Sequence, residues 1–124
     1  MKQGLKKKIL VVDDSEMVRN FHSYIIKTFG YMVETAENGV VALEKLLCQE
    51  YQLLVTDINM PKMDGYELIR NMQEQKITIP IIIISTEDEY KSGLTGVESG
   101  HNIHLVKPTD PEKLVKTIKM LLEG

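Results

Sequence analysis

Residues 53–85 read LLVTDINMPKMDGYELIRNMQEQKITIPIIIIS, and this stretch decides the fold. Residues 53–56 form an apolar strand that ends at Asp57, and residues 81–84 form a second strand that is apolar on both faces. Between them lies a loop and then a helix whose apolar residues follow helical spacing: Tyr66, Leu68, Ile69 and Met72. Two such strands joined by a helix predict a parallel βαβ unit.

The same alternation extends in both directions from this unit. Further strands are predicted at residues 9–13, 32–36 and 104–106, so the chain contains five strand–helix pairs. Gly93 and Gly96 weaken the predicted helix over residues 87–99, and we expect this helix to be the most mobile. The pattern predicts an α/β domain, a doubly wound parallel sheet with helices on both faces. On the first helix, over residues 16–29, His22 is expected at the surface. The apolar residues of the other predicted helices follow helical spacing and are expected to face the core: Met17, Val18, Phe21, Ile25 and Phe29; Ala42, Leu43, Leu46 and Leu47; Leu114, Val115, Ile118, Leu121 and Leu122.

Length and charge narrow the possible functions. A chain of 124 residues is expected to form one domain. The net charge is −3, and four lysines precede the first acid, so the remainder is more acidic than the total. This balance disfavours direct nucleic-acid binding, and no apolar run is long enough for membrane insertion. Cys48 is the only cysteine, which favours a reducing, cytoplasmic location.

Polar side chains stand at the carboxyl ends of the predicted strands. Asp13 and Asp14 follow the first strand, Asp57 the third, Ser85 the fourth and Lys107 the fifth. Each of them alone is typical of a turn, a helix cap or a solvated surface. Right-handed crossovers bring all five to one edge of the sheet, where ligands bind in such folds. Three neighbouring carboxylates need a cation, and oxygen ligands suit Mg²⁺ or Mn²⁺. With a hydroxyl and an ammonium beside them, one carboxylate can accept a phosphoryl group.

Four motifs in this order resemble the receiver domain of bacterial two-component response regulators, of the stand-alone chemotaxis type. They are KILVVDD at residues 8–14, TDINMPKMDG at 56–65, IPIIIIS at 79–85 and LVKP at 105–108. The resemblance implies a flavodoxin-like fold with five helices and five parallel strands in the order 2-1-3-4-5. It also implies that residues 1–124 form a single receiver domain, of which residues 1–7 are a basic tail.

The resemblance further implies which residues hold the metal and accept the phosphoryl group. Asp57 would accept it from a phosphohistidine, supplied by a sensor histidine kinase or a phosphotransfer domain. Asp14 and Asp57 would ligate Mg²⁺ together with the backbone carbonyl of Asn59, and Asp13 would act partly through water. The domain would then be a phosphoacceptor that is not an enzyme in the usual sense.

Other implied roles concern switching. Ser85 would hydrogen-bond a phosphoryl oxygen, Lys107 would pair with another, and the bond from Lys107 to Pro108 would be cis. His104 stands where the family usually has Tyr or Phe as a rotamer switch, so switching is expected to be altered, pH-sensitive or absent. Thr86 replaces the usual small residue beside the phosphoacceptor.

Output is expected on the face formed by the fourth helix, the fifth strand and the last helix, which would contact an unidentified downstream protein. Lys113, Lys116 and Lys119 follow one another on the last helix. They are either a solvated face or a docking surface for an acidic partner segment.

Three alternatives to this function are considered. The first is a receiver-like scaffold that binds partners without phosphorylation, which His104 would favour. The second is a small phosphatase that uses an aspartyl phosphate, although Asn59 stands where such enzymes carry their second acid. A flavodoxin-like electron carrier is disfavoured because Asp13 and Asp14 would repel the cofactor phosphate.

Overall fold

The computed structural model describes residues 6–86 and 102–123, in which five strands alternate with four helices. The predicted helix over residues 87–99, with its expected mobility, lies outside the described residues. β5 begins at Asn102, two residues earlier than predicted, because its ladder with β4 starts at the pair Ile81 and Asn102. The elements are β1 (Lys8–Val12), α1 (Glu16–Thr28), β2 (Met32–Ala36), α2 (Gly39–Cys48), β3 (Leu53–Asp57), α3 (Gly65–Glu74), β4 (Ile81–Ser85), β5 (Asn102–Val106) and α4 (Pro111–Glu123).

The five strands form one parallel sheet in the order β2-β1-β3-β4-β5, which confirms the predicted topology. β3 and β4 are buried along their whole length, as the runs of aliphatic residues predict for central parallel strands. β1 lies between β2 and β3 in the sheet, so the chain passes back over β1 on its way from β2 to β3. The carboxyl ends of β1 and β3 therefore flank the point where the strand order reverses.

Two apolar cores cover the two faces of the sheet, since successive side chains of a strand point to opposite faces. On one face Leu10 and Leu54 pack with the buried residues of α2 and α3. On the other face Ile9 and Val55 pack with Ile26 of α1 and with α4. Each fully buried aliphatic side chain contributes about 1.5–3 kcal/mol, so this double-sided core fixes the sheet and its carboxyl edge.

Three helices begin at the carboxyl edge with side-chain caps that the sequence supplies. The Ser15 hydroxyl accepts from the Val18 amide at 3.3 Å, and the side-chain oxygen Oδ1 of Asn38 accepts from the Val41 amide at 2.9 Å. At α3, Asp64 and Glu67 form a reciprocal capping box. The amide-rich ends of these helices therefore lie at the edge that carries the acidic residues.

The predicted burial of α1 is wrong at several positions. Met17 was expected to face the core but is 80% exposed, and Phe21 and Phe29 are about half exposed. His22, expected at the surface, is buried at 4% exposure beside Ile26. The helix carries apolar residues around most of its circumference, so periodicity alone does not identify the face that packs. Leu47 on α2 is likewise 54% exposed, whereas Ala42 and Leu46 are buried as predicted.

Candidate functional site

The carboxyl edge brings three carboxylates together. Asp13 and Asp14 follow β1, and Asp57 ends the neighbouring strand β3. One oxygen from each carboxylate lies within 4.8 Å of the other two. Asp13 and Asp57 are each only 3% exposed, whereas Asp14 is exposed. The predicted convergence of these acids is therefore present, and their spacing suits shared oxygen ligation of one small cation.

The electrostatics of Asp13 reflect this crowding. Its pKa is raised to about 6, mainly because burial disfavours the charged form and also because Asp57 and Asp14 repel it. The Ser15 amide donates to Asp13 Oδ1 at 2.9 Å and Lys107 lies nearby, and both lower the pKa without restoring its usual value. A divalent cation bound among the carboxylates would relieve this cost, and an all-oxygen set suits Mg²⁺ or Mn²⁺ rather than zinc.

Asp57 is held in a defined orientation at the end of β3. Its Oδ1 accepts a hydrogen bond from the Ile58 amide at 2.9 Å and lies 3.0 Å from the ammonium of Lys107. The Lys107 backbone amide donates to the Ser85 carbonyl at 2.8 Å, which continues the β4–β5 ladder beyond β5. The Lys107–Pro108 bond is cis, as the resemblance implies. One oxygen of Asp57 is thus fixed by an amide and an ammonium.

Ser85 is completely buried at the end of β4, next to the end of β3. Its Oγ has no hydrogen-bond partner within the described part of the chain. A buried hydroxyl of this kind costs free energy unless something pairs with it. An oxygen of a group attached to Asp57 would provide such a partner, so the environment of Ser85 fits a phosphoryl group.

The loop after Asp57 approaches the site so closely that glycine is required. The Gly65 amide donates to the Ile58 carbonyl at 2.8 Å, and a Cβ at this position would lie 2.5 Å from the Asp57 carbonyl oxygen. A Cβ at Gly39 would likewise lie 2.6 Å from the Met63 carbonyl oxygen. The loop that carries Asn59 is thereby packed against α2 and β3. Asn59 itself is exposed, and the role of its carbonyl stays a prediction.

Two of the residues that depart from the family pattern lie on β5 and just after β4. His104 is half-buried and pairs across the ladder with Ile83. Thr86 is exposed and follows Ser85 directly. The proposed switching role of His104 together with Ser85 stays a prediction.

A groove of about 480 Å³ adjoins the site, and sequence reasoning did not find it. Val18, Phe21 and His22 of α1 line one wall, and residues 107–109 line the other. Burial, followed by the charge of Lys107, lowers the pKa of His22 below its usual range. The groove was missed because it depends on which face of α1 packs, and the apolar pattern did not reveal this.

Arg19 also lies at the site, and sequence reasoning did not identify it. Its Nη1 donates a hydrogen bond to the Asp13 carbonyl oxygen at 2.7 Å. The only signal in the sequence is its place on α1, six residues after Asp13. That spacing alone does not predict the contact.

The sequence profile of the response regulator receiver domain matches residues 9–119. This match covers most of the chain, and the chain therefore belongs to the response regulator receiver domain family. This match confirms the predicted family. The predicted flavodoxin-like fold is confirmed as well, because the chain shares it with relatives of known structure.

Similar proteins include both longer regulators and single receiver domains. The chain is 35% identical over 118 residues to the alkaline phosphatase synthesis transcriptional regulatory protein PhoP of Bacillus subtilis, covering 95% of this chain and 49% of that protein. It thus spans about half the length of such curated relatives. Chemotaxis response regulator CheY4 of Vibrio cholerae is 37% identical, with a TM-score of 0.84, 95% of this chain covered and 100% of that chain. Response regulator TrrA of Thermotoga maritima, in complex with Mg(2+)-BeF, is 33% identical with a TM-score of 0.83, covering 94% and 99% of the two chains.

Family membership places the acid cluster in context. Receiver domains are signalling domains of two-component systems that interact with histidine kinases, and they bind Mg²⁺ at an acidic pocket that corresponds here to Asp13, Asp14 and Asp57. Across residues 6–86 and 102–123, no helix is both long enough and apolar enough to cross a membrane.

Proposed function

We propose that this chain is a Mg²⁺-dependent phosphoacceptor that takes a phosphoryl group on Asp57 from a phosphohistidine and thereby changes its affinity for a downstream protein. The observation that carries this proposal is the position of the Asp57 carboxylate. It is buried, lies within 4.8 Å of two further carboxylates, and pairs with Lys107 at 3.0 Å. The complex of the relative TrrA with Mg(2+)-BeF supports the same assignment.

The proposed transfer is a displacement at phosphorus. A carboxylate oxygen of Asp57 forms a bond to phosphorus while the P–N bond to the donor histidine breaks, and the electron pair of that bond returns to the imidazole nitrogen. Such a step needs positioning and charge stabilisation more than acid–base help. The Ile58 amide and the Lys107 ammonium both contact Asp57 Oδ1, so the carboxylate is held in one orientation for this step.

The metal would be held by Asp14, Asp57 and the backbone carbonyl of Asn59, with Asp13 contributing partly through water. Mg²⁺ bound there supplies the positive charge that three crowded carboxylates and a phosphoryl group require. Lys107 would pair with one phosphoryl oxygen. Ser85 would donate to another, and its buried, unbonded hydroxyl supports this role.

The proposed partners follow from this chemistry. A sensor histidine kinase or a phosphotransfer domain would supply the phosphoryl group, and the downstream partner is a protein rather than nucleic acid. We propose that output uses the face that includes β5 and α4, where Lys113 and Lys116 are exposed. His104 lies on β5 at this face, where switching would be altered, pH-sensitive or absent. The proposed setting is the cytoplasm, and residues 1–124 would act as a single receiver domain.

The experiment that tests this function is the intact mass of the protein after incubation with acetyl phosphate and MgCl₂. We expect a gain of one phosphoryl group in the wild type, and no gain with EDTA or in Asp57→Asn. Asp110→Asn is the matched control, because it removes an exposed carboxylate at the start of α4 and should still be phosphorylated.

Two results would overturn the proposal. Absence of any gain with acetyl phosphate or a phosphohistidine donor would favour a scaffold that works without phosphorylation. Rapid multiple turnover of simple phosphate esters would favour a phosphatase instead.

A further inference from the structure

We propose that Arg19 is a positioning residue that orients the two acids of the predicted metal site through the main chain. This inference rests on the proposed Mg²⁺ site and adds a residue to it. We call residues 13–15 the acid turn. Arg19 Nη1 donates to the Asp13 carbonyl oxygen at 2.7 Å, and its half-buried guanidinium thus touches the acid turn at its backbone.

The contacted oxygen has a particular place in the chain. β1 ends at Val12, so the Asp13 carbonyl lies just beyond the last residue of the strand. That carbonyl and the amide nitrogen of Asp14 belong to one planar peptide group. Fixing the oxygen therefore fixes the plane that connects Asp13 to Asp14, and with it the directions in which the two side chains leave the backbone.

Further hydrogen bonds hold the same turn. The Asp13 amide donates to the Ala36 carbonyl at 3.2 Å, and the Ser15 amide donates to Asp13 Oδ1 at 2.9 Å. The Arg19 amide donates to the Ser15 carbonyl at 2.9 Å, so Arg19 contacts both ends of the turn. The Arg19 side chain supplies the bond of this set whose donor is charged, and charge-assisted bonds are the stronger kind.

The direction of the guanidinium matters for metal binding. An arginine that paired with the Asp13 or Asp14 carboxylates would compete with Mg²⁺ for their oxygens. Because Arg19 donates to the main chain instead, it orders the turn and leaves the carboxylate oxygens available. Its positive charge by itself would disfavour a nearby divalent cation, so positioning and simple charge repulsion predict opposite effects of removing Arg19.

The test is the Mg²⁺ affinity of Arg19→Met, measured from backbone amide chemical shifts during titration with MgCl₂ at constant ionic strength. We expect the dissociation constant to rise about 5- to 10-fold, because the acid turn loses one of the hydrogen bonds that hold it. Arg19→Lys keeps a charge and a donor and should recover part of the affinity. Arg70→Met is the matched control, since Arg70 is the only other arginine and is exposed on α3.

A second readout separates positioning from a general structural effect. The initial rate of phosphorylation by acetyl phosphate should fall in Arg19→Met at limiting Mg²⁺ and approach the wild-type rate at saturating Mg²⁺. An unchanged or tighter dissociation constant in Arg19→Met would overturn the inference. If Arg19→Met does not fold, Arg19→Ala takes its place, and an unchanged or tighter dissociation constant in that variant would overturn the inference equally. A wild type that shows no Mg²⁺-dependent shifts at Asp13 and Asp14 would contradict the metal site of the proposed function instead.

Discussion

Acidic side chains at the two edges of the sheet have opposite electrostatic environments. At the amino edge, Lys8 begins β1 and Tyr51 precedes β3. The side chain of Glu34, which lies midway along β2, accepts a hydrogen bond there from the Tyr51 hydroxyl at 2.7 Å. The ammonium groups of Lys8 and Lys45 lie 3.6 and 4.0 Å from its carboxylate. The Tyr51 hydrogen bond, assisted by these lysines, holds the pKa of Glu34 below its usual range. This arrangement favours the charged form and stabilises the fold.

At the carboxyl edge, the carboxylates of Asp13, Asp14 and Asp57 cluster together, and the ammonium of Lys107 lies against Asp57. Burial and the other acids raise the pKa of Asp13 to about 6. The metal-free protein is therefore destabilised at this edge, and a ligand cation can recover that free energy on binding. The contrast indicates that the amino edge serves stability and the carboxyl edge serves function.

The largest effect on stability is expected from a substitution that relieves the crowding of carboxylates at the carboxyl edge. Asp13→Asn should increase the free energy of unfolding by about 1–3 kcal/mol at pH 7.5 in EDTA, because a neutral amide avoids the cost of a buried charge. The asparagine can still accept from the Ser15 amide. The pKa of Asp13 is higher in the folded protein than in the unfolded chain. Its protonation therefore favours folding at low pH, and this contribution is lost as the pH rises through about 6.

The measurement is urea unfolding of Asp13→Asn and the wild type at pH 7.5 and at pH 3.5. The advantage of the variant should shrink at the lower pH, where the wild-type carboxyl is also protonated. A variant that is less stable than the wild type at pH 7.5 in EDTA would show that the acid cluster is not a source of repulsion.

The next largest effect is expected from a substitution that removes the Tyr51 hydroxyl at the amino edge. Tyr51 is 4% exposed, and Tyr51→Phe should lower the free energy of unfolding by about 1 kcal/mol through loss of the bond to Glu34. The ammonium of Lys8, 4.8 Å from the ring centroid, keeps its cation–π contact in the variant. Urea unfolding at pH 7.5 checks this value, and a neutral effect would mean that the amino edge does not serve stability.

A smaller effect comes from the charge of Glu34 itself. Its side chain is 35% exposed, so solvent screens its ion pairs, and Glu34→Gln should cost about 0.5–1 kcal/mol at pH 7.5. The pKa of Glu34 is lower in the folded protein, so the charge contributes stability above pH 4.5 and loses it as the pH falls further. Glu34→Gln and Asp13→Asn are the same chemical change with opposite expected signs. Equal signs in urea unfolding would remove the distinction between the edges.

The carboxyl edge was largely predictable from sequence, whereas the amino edge was not. Asp57 and Lys107 come directly after apolar strands, and parallel topology brings strand ends together whatever the register. The contact between Tyr51 and Glu34 depends on how β1 aligns with both of its neighbours, and the strand pattern leaves that alignment undetermined. The burial of His22 was missed for a related reason, since its helix has apolar residues on two faces.

The smallest expected effect concerns His22, which lines the groove beside Lys107 and carries no charge to offset the acids at neutral pH. Burial and Lys107 hold its pKa below the usual 6.5, so protonation favours the unfolded chain and stability falls as the pH drops below about 6.5. One proton changes the free energy of unfolding by at most about 1.4 kcal/mol per pH unit. Between pH 7.5 and 5.5, Asp13 produces a change of the opposite sign, so the two contributions partly cancel in the wild type.

Urea unfolding in the Asp13→Asn background isolates the contribution of His22. There the protein should lose stability toward pH 5.5, and the added change His22→Gln should reduce that loss. An identical loss with and without His22→Gln would show that this imidazole titrates as it does in the unfolded chain.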